Sequence, residues 1–279
     1  MTSPIGERLA ELPSGERLRF SLGTAPAGEL LLAAHTGRFT GCLQLLPGRI
    51  DPRISMQRRR ELPPGTELLF FREGSCVGYE ELGPEGTEAV RRHLSDAGRL
   101  DASETAAFAR VRSVRQLALE LGGRGLVDRA VLDGAVRGRA LERLFLRGGD
   151  TESTVGVDPG LEALLEFHPV YVDVRPAIAF ALVSHARAAD KRAQLARAAG
   201  RRARLVAPYD ERRNAYGLPE AILEAVRALG GDGVSFGAAP ALGGLSEGDL
   251  AGLLYFLDRV GLLELSDAQP SAAAIRSSA

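Results

Sequence analysis

"ELLFFREGSCVGYEELGPEGTEAVRRHL", residues Glu67 to Leu94, sets two apolar arms around a glycine turn and then runs into a helix start. "ELLFF" and "CVGYE" flank "REGS" as the arms of a β-hairpin, with a turn at Glu73-Gly74 where Gly74 can take the positive φ that a tight turn needs. From Pro84 the period becomes helical: Ala89, Val90 and Leu94 form a stripe, and Gly98 ends it. Cys76 lies in an apolar arm with no histidine near it in sequence. A reactive thiolate needs an electropositive partner, which Arg72 alone offers nearby, so Cys76 reads as a small buried hydrophobe with a reactive site as the alternative.

Upstream, "RLRFSLG" has strand character and "APAGELLLAAHTG" that of a short helix ending at Gly37. In "RFTGCLQLL" Phe39, Gly41, Leu43 and Leu45 alternate with Thr40, Cys42, Gln44 and Leu46, the period of two of a half-covered antiparallel strand. The stretch from Gly48 to Leu82 supplies up to three more strands, broken by Pro52 and by Pro63-Pro64-Gly65. Downstream, Asp101 or Ser103 caps a helix with Glu104 behind it. Val114, Leu117 and Leu121 make a second stripe; Val127, Val131, Ala135, Leu141, Leu144 and Phe145 continue it. "TESTVGVD" reads as a strand returning to the sheet.

At 279 residues the chain is long enough for two linked domains. The expected fold is α+β: residues 1–158 form an antiparallel sheet with a helical insertion at about 84–148. An irregular connection and one helix from Pro176 to about Ala199 fill 159–200, and a small winged-helix-like helical module spans 201–265. In that module Ile222, Leu223, Val226 and Leu229 mark one helix. Ser246 with Asp249 caps a second that carries Leu250, Leu253, Leu254, Leu257 and Val260 and stops at Gly261 before a terminal strand. A polar tail, 266–279, reads as disordered.

A net charge of −1 creates no field that would recruit nucleic acid or an anionic membrane to the whole surface. Because 34 of the 35 basic residues are arginine, the arginine content reads first as compositional bias. The charged N-terminus has no signal-peptide core and no apolar run approaches membrane-spanning length, so a cytoplasmic protein is expected. Two cysteines without C-x-x-C spacing and four histidines without a ligand motif point away from a metal site. "GGDGVSFGAAPALGG" lacks the G-K-[ST] of a phosphate loop and reads as a loop between helices. Neither an enzyme nor a cofactor is expected.

Several stretches together resemble the PATAN family, the PatA N-terminal-type domains of bacterial signalling proteins. "LLLAAHTGRFTGCLQL" is similar to that family's short helix and following strand, and "ELLFFREGSCVGYEE" to its hairpin. "EGTEAVRRHLSDAGRLDASETAAFA" and "LGGRGLVDRAVLDGAVRGRALERLFLRGGDTESTVGV" are similar to its helices and closing strand, and "LSEGDLAGLLYFLDRVGLLEL" to a helical module that often follows. The likeness covers about Leu22 to Leu265 and departs in the long insertion "GRIDPRISMQRRRELPPG". It implies a non-enzymatic signalling adaptor whose helical insertion contacts a regulatory partner such as a response-regulator receiver domain, expected here as a separate protein. Arginine on a helical surface suits a partner with acidic patches, which makes Arg91, Arg92, Arg99, Arg110, Arg112 and Arg115 the candidate partner-binding residues. The alternative is a nucleic-acid-binding regulator using the winged-helix-like module, with Lys191, Arg192, Arg197, Arg201, Arg202 and Arg204 close upstream. Against it, the candidate recognition helix carries Glu247, Asp249 and Asp258 with only Arg259 as a base.

Overall fold

A computed structural model describes residues 9, 18–48, 62–160, 168–207, 209 and 216–267. The chain divides into two compact units, Thr2–Ile178 and Ala179–Ala279. The fold is α+β, with an antiparallel six-stranded sheet and a smaller three-stranded one. Strands expected within 49–61 and all but the first two residues of the tail expected over 266–279 lie outside the described residues; Ser266 and Asp267 stand in the last strand instead.

The first unit is built on strands β1 (Leu18–Ser21), β2 (Gly41–Leu46), β3 (Glu67–Arg72), β4 (Ser75–Glu81), β5 (Thr154–Pro159) and β6 (Pro169–Val172), in the order β1-β5-β2-β3-β4-β6. Every neighbouring pair is antiparallel. Helix α1 (Ala27–Thr36) links β1 to β2. Four helices fill the gap between β4 and β5: α2 (Pro84–Asp96), α3 (Ala102–Ala107), α4 (Val114–Gly123) and α5 (Arg129–Arg147). The closing strand β5 then threads back between β1 and β2.

The hairpin stands where its sequence places it. Glu73 and Gly74 form the turn with φ of 49° and 80°, the pair of left-handed residues that a two-residue I′ turn demands. Its tip is tied down: the Gly74 N–H donates to the Phe39 carbonyl, and His35 Nδ1–H donates to the Gly74 carbonyl at 2.9 Å. Phe71 pairs with Cys76, yet Phe70 pairs with Gly78, so Val77 is an extra residue, a bulge. One residue of slip reverses which face the rest of β4 presents. Below the bulge Tyr79 therefore faces Leu69, and Glu81 faces Glu67.

The central strands β2 and β3 are buried on both faces, which corrects the half-covered reading of β2: Cys42 and Leu46 pack with Leu68 and Phe70 on one side, and Leu43 and Leu45 are equally buried on the other. Phe70, Phe71 and Tyr79 are fully inside, each contributing roughly 1.5–3 kcal/mol of burial. Asp101 and Glu104 form a reciprocal capping box at the start of α3, and Ser113 caps α4 through the Gln116 N–H. Along α5 the buried apolar stripe is Leu132, Ala135, Val136, Ala140 and Leu144; Val131, Leu141 and Phe145 are only partly covered, a rotation of the expected face.

Residues 159–200 hold more structure than a connection. They carry β6, then two helices, α6 (Arg175–His185) and α7 (Ala188–Ala198), where one continuous helix was expected. The break falls at Ala186-Arg187. The second unit continues with β7 (Arg201–Leu205), α8 (Glu220–Ala228), β8 (Val234–Ser235), α9 (Glu247–Arg259) and β9 (Leu263–Asp267), the strands pairing in the order β8-β7-β9. The loop expected between the last two helices thus contains β8. Ser246 caps α9 through the Asp249 N–H, as its spacing implies. Gly252 lets α9 approach the Val183 carbonyl closely enough that no side chain would fit between. Tyr216 packs edge-on to Phe256 at 4.9 Å in this core.

Candidate functional site

The face of the sheet turned toward α5 holds a row of side chains set by strand register: Val155, Leu45, Glu67 and Glu81 in one line, and Val157, Leu43, Leu69 and Tyr79 in the next. Two carboxylates directly opposite one another would repel. Both are wholly buried, at 0 % exposure, and α5 answers them with three arginines four residues apart. Arg139 grips Glu81 at both oxygens, 2.8 and 3.0 Å. Arg143 and Arg147 both donate to Glu67 Oε1, at 2.7 and 2.9 Å, and Arg147 also reaches Asp150 at 2.7 Å. Tyr79 donates to Glu81 at 3.3 Å. Burial, then the nearby Glu67 and Glu81, push the Tyr79 hydroxyl well above its ordinary range, so it stays a neutral donor. Among the described residues Glu67 Oε2 has no hydrogen-bond partner.

This network fixes the helical insertion to the sheet by charge as well as by packing. Gly86 of α2 rests on the same carboxylate: a Cβ there would stand 2.7 Å from Glu81 Cβ. None of these residues was a sequence candidate, although the Arg139, Arg143 and Arg147 spacing was visible. Its meaning depended on finding buried acids opposite, which only the bulged register supplies.

The six arginines expected at an interface separate. Arg91 is buried, 8 % exposed, and donates to the Thr105 carbonyl at 2.9 Å, so it ties α2 to α3 and is withdrawn as a surface candidate. Arg92, Arg99, Arg110 and Arg112 are exposed, and Arg92 pairs with Glu88 at 3.0 Å. Arg115 is half-buried and lines a cleft of about 630 Å³ bounded by α4, the first turn of α5 and the start of β6. The cleft floor is apolar, from Ala118, Val127 and Leu132, and its lip carries Leu119, 63 % exposed. Gly122, Gly123 and Gly125 leave open space where side chains would stand. Arg129, Asp133 and His168 add polarity: Arg129 and Asp133 lie 3.6 Å apart, and His168 Nε2–H donates to Asp133 at 2.8 Å.

Cys42 and Cys76 are both buried and free of disulfides. Burial pushes the Cys76 thiol up to about 12, against weaker help for the thiolate from hydrogen bonds at Gly78 and Phe70. Burial thus favours the neutral thiol over the nucleophilic thiolate, in keeping with the structural reading of Cys76. Among the described residues no group of three or more His, Cys, Asp or Glu stands together to hold a metal ion. No helix there is long and apolar enough to cross a membrane.

In the second unit much of the basic run is engaged within the module. Arg197 pairs with Asp258 at 3.0 Å, and Arg204 with Glu264, its cross-strand neighbour, at 2.9 Å. Arg202 donates to the Asp232 carbonyl, and Lys191 to the Ser184 carbonyl at 3.0 Å. The first turn of α9 presents Glu247 and Asp249. No protein-family model, curated protein or solved structure matches this chain.

Proposed function

We propose that this chain is a non-enzymatic cytoplasmic signalling adaptor that binds a regulatory protein with an acidic surface, of receiver type, through the helical insertion α2–α5. The observation that carries the reading is the cleft between α4 and α5. Its volume, about 630 Å³, is that of a pocket able to enclose an anchoring side chain, and its apolar floor is flanked by the cations Arg115 and Arg129. The buried arginine–glutamate network supports the same reading, because it holds the helices that form the cleft in one geometry before any partner arrives. Receiver domains cluster acids around their phosphoacceptor, which suits Arg115 and Arg129, the two arginines of a lining that also holds Asp128, and the resemblance to PATAN domains names the same class of partner.

The test is titration of a purified receiver domain, and capture from native lysate with identification of the captured protein, by the intact chain and by Arg115→Glu and Leu119→Asp variants. Arg91→Glu is unsuitable, since a buried charge reversal would report folding. The reading requires receiver binding that weakens about tenfold or more in both cleft variants while their melting is unchanged. Receiver binding indifferent to both variants would refute the site. A parallel titration of mixed-sequence duplex DNA across a salt series addresses the alternative: salt-sensitive DNA binding without receiver binding would replace the adaptor by a nucleic-acid-binding regulator.

A further inference from the structure

Helix α5 carries a second polar stripe, distinct from the one that neutralises Glu67 and Glu81. Arg129, Asp133 and Arg137 recur every four residues and each meets the segment His168 to Tyr171. Arg129 donates to the Pro169 carbonyl at 3.3 Å, His168 donates to Asp133 at 2.8 Å, and Arg137 donates to the Tyr171 carbonyl at 3.1 Å. Two of these three contacts go to the backbone of β6, which is the last strand of the sheet among the described residues. Pro169 and Tyr171 stand two apart in the strand, so their carbonyls point to the same side, and both are occupied by guanidinium groups. Pro169 has no N–H to offer on that side in any case.

An edge strand with free main-chain groups is a template for another strand. A short antiparallel edge is self-complementary about a twofold axis, so the strand best placed to add to β6 is β6 of a second copy. Here helix side chains stand where the next strand's N–H groups would come. We propose that the Arg129–Asp133–Arg137 stripe is a guard that closes the β6 edge against strand addition by a second copy of this chain. The guard is reversible in principle, because Arg129 is itself 67 % exposed and shares its guanidinium between Asp133 and Pro169. The guard shares Arg129, Asp133 and His168 with the cleft of the adaptor reading, but its readout, the mass of this chain alone, depends on no partner of another kind.

The experiment compares the intact chain with Arg129→Ala/Arg137→Ala by light scattering over a concentration series, with melting followed in parallel. The double variant is expected to reach about twice the parent's mass or more as concentration rises, while Arg129→Lys/Arg137→Lys, which keeps a donor for each carbonyl, behaves as the parent. Adding Tyr171→Pro, which removes a main-chain donor from the open edge, is expected to abolish the added association. The proposal is overturned if the alanine variant melts like the parent and keeps its mass throughout, or if association survives Tyr171→Pro. Should the double variant lose its fold, Arg137→Ala alone, which leaves the Asp133 contacts in place, reads the same edge by the same criteria.

Discussion

Replacing Arg139 by Met is the sharpest test of how the insertion is held. The change keeps most of the side chain's apolar length and removes both charge-assisted bonds to Glu81, at 2.8 and 3.0 Å. Glu81 cannot turn to water, since its side chain is 0 % exposed. What remains near it is the Tyr79 hydroxyl at 3.3 Å and Arg143, whose Nε lies 3.8 Å away and whose bonds already go to Glu67. Stranding one member of a buried pair costs about 3–5 kcal/mol, whereas replacing both members by apolar groups of similar volume is often close to neutral. At roughly 2–4 °C per kcal/mol for a unit of this size, Arg139→Met is expected to lower the melting point by roughly 6–20 °C. Glu81→Leu/Arg139→Met is expected to recover most of that loss. Urea and thermal unfolding followed by far-UV circular dichroism, with both single variants closing the cycle, measure the coupling directly. A loss below about 1 kcal/mol for Arg139→Met, or a double variant equal to the sum of its singles, would show that the pair does not hold α5 to the sheet.

Phe70→Ala empties a fully buried position in the hairpin and is expected to cost about 3–5 kcal/mol in the same unfolding assay; a parent-like melt would contradict the packing of β3. Both thiols are expected to resist a disulfide reagent at pH 8 in the folded chain and to react on unfolding, because Cys76 is pushed up to about 12 and Cys42 is equally enclosed. For Asp150, burial pushes the carboxyl up, but bonds from the Ser153 hydroxyl and N–H, from Arg147 and from the Glu152 N–H outweigh it and hold it near 2, below its usual 3.8. A depressed folded value means stability present above pH 4 and lost as pH falls from about 4 to 2. The acid limb of the stability curve is therefore expected to flatten in Asp150→Asn, and an unchanged limb would refute the assignment.

What was legible in the sequence was local. The Glu73-Gly74 turn, the Asp101–Glu104 box and the Ser246 cap each rest on residues within four positions of one another, where a few side chains decide the backbone. Long-range facts escaped. A two-residue turn taken alone pairs Glu67 with Glu80; the bulge at Val77 moves the partner to Glu81, and nothing in the alternation around Val77 announces it. The break between α6 and α7 carries neither proline nor glycine at Ala186-Arg187, so a continuous helical pattern ran across it. Among the candidate arginines, sequence could not separate Arg91, which is buried against Thr105, from its exposed neighbour Arg92. The two are adjacent, and which of them is covered depends on how α3, α4 and α5 pack against α2.

The arginines of α5 show why abundance hid their role. In a chain where nearly every base is arginine, each one reads first as composition, yet this helix sorts them by angle. Arg139, Arg143 and Arg147 face inward to Glu81 and Glu67, while Arg129 and Arg137 face the β6 carbonyls. Lysine would serve poorly at the first set, since Arg139 holds Glu81 with two parallel bonds from one planar group. The apolar stripe from Leu132 to Leu144 sets how near α5 lies to its neighbours but leaves it free to slide by a turn, because aliphatic contacts are not directional. Buried carboxylates at fixed strand positions remove that freedom: a shift of one helical turn that brought Arg143 opposite Glu81 would leave Arg139 without an acid. The cost of two buried acids is thus matched by a single register for the helix that bounds the cleft.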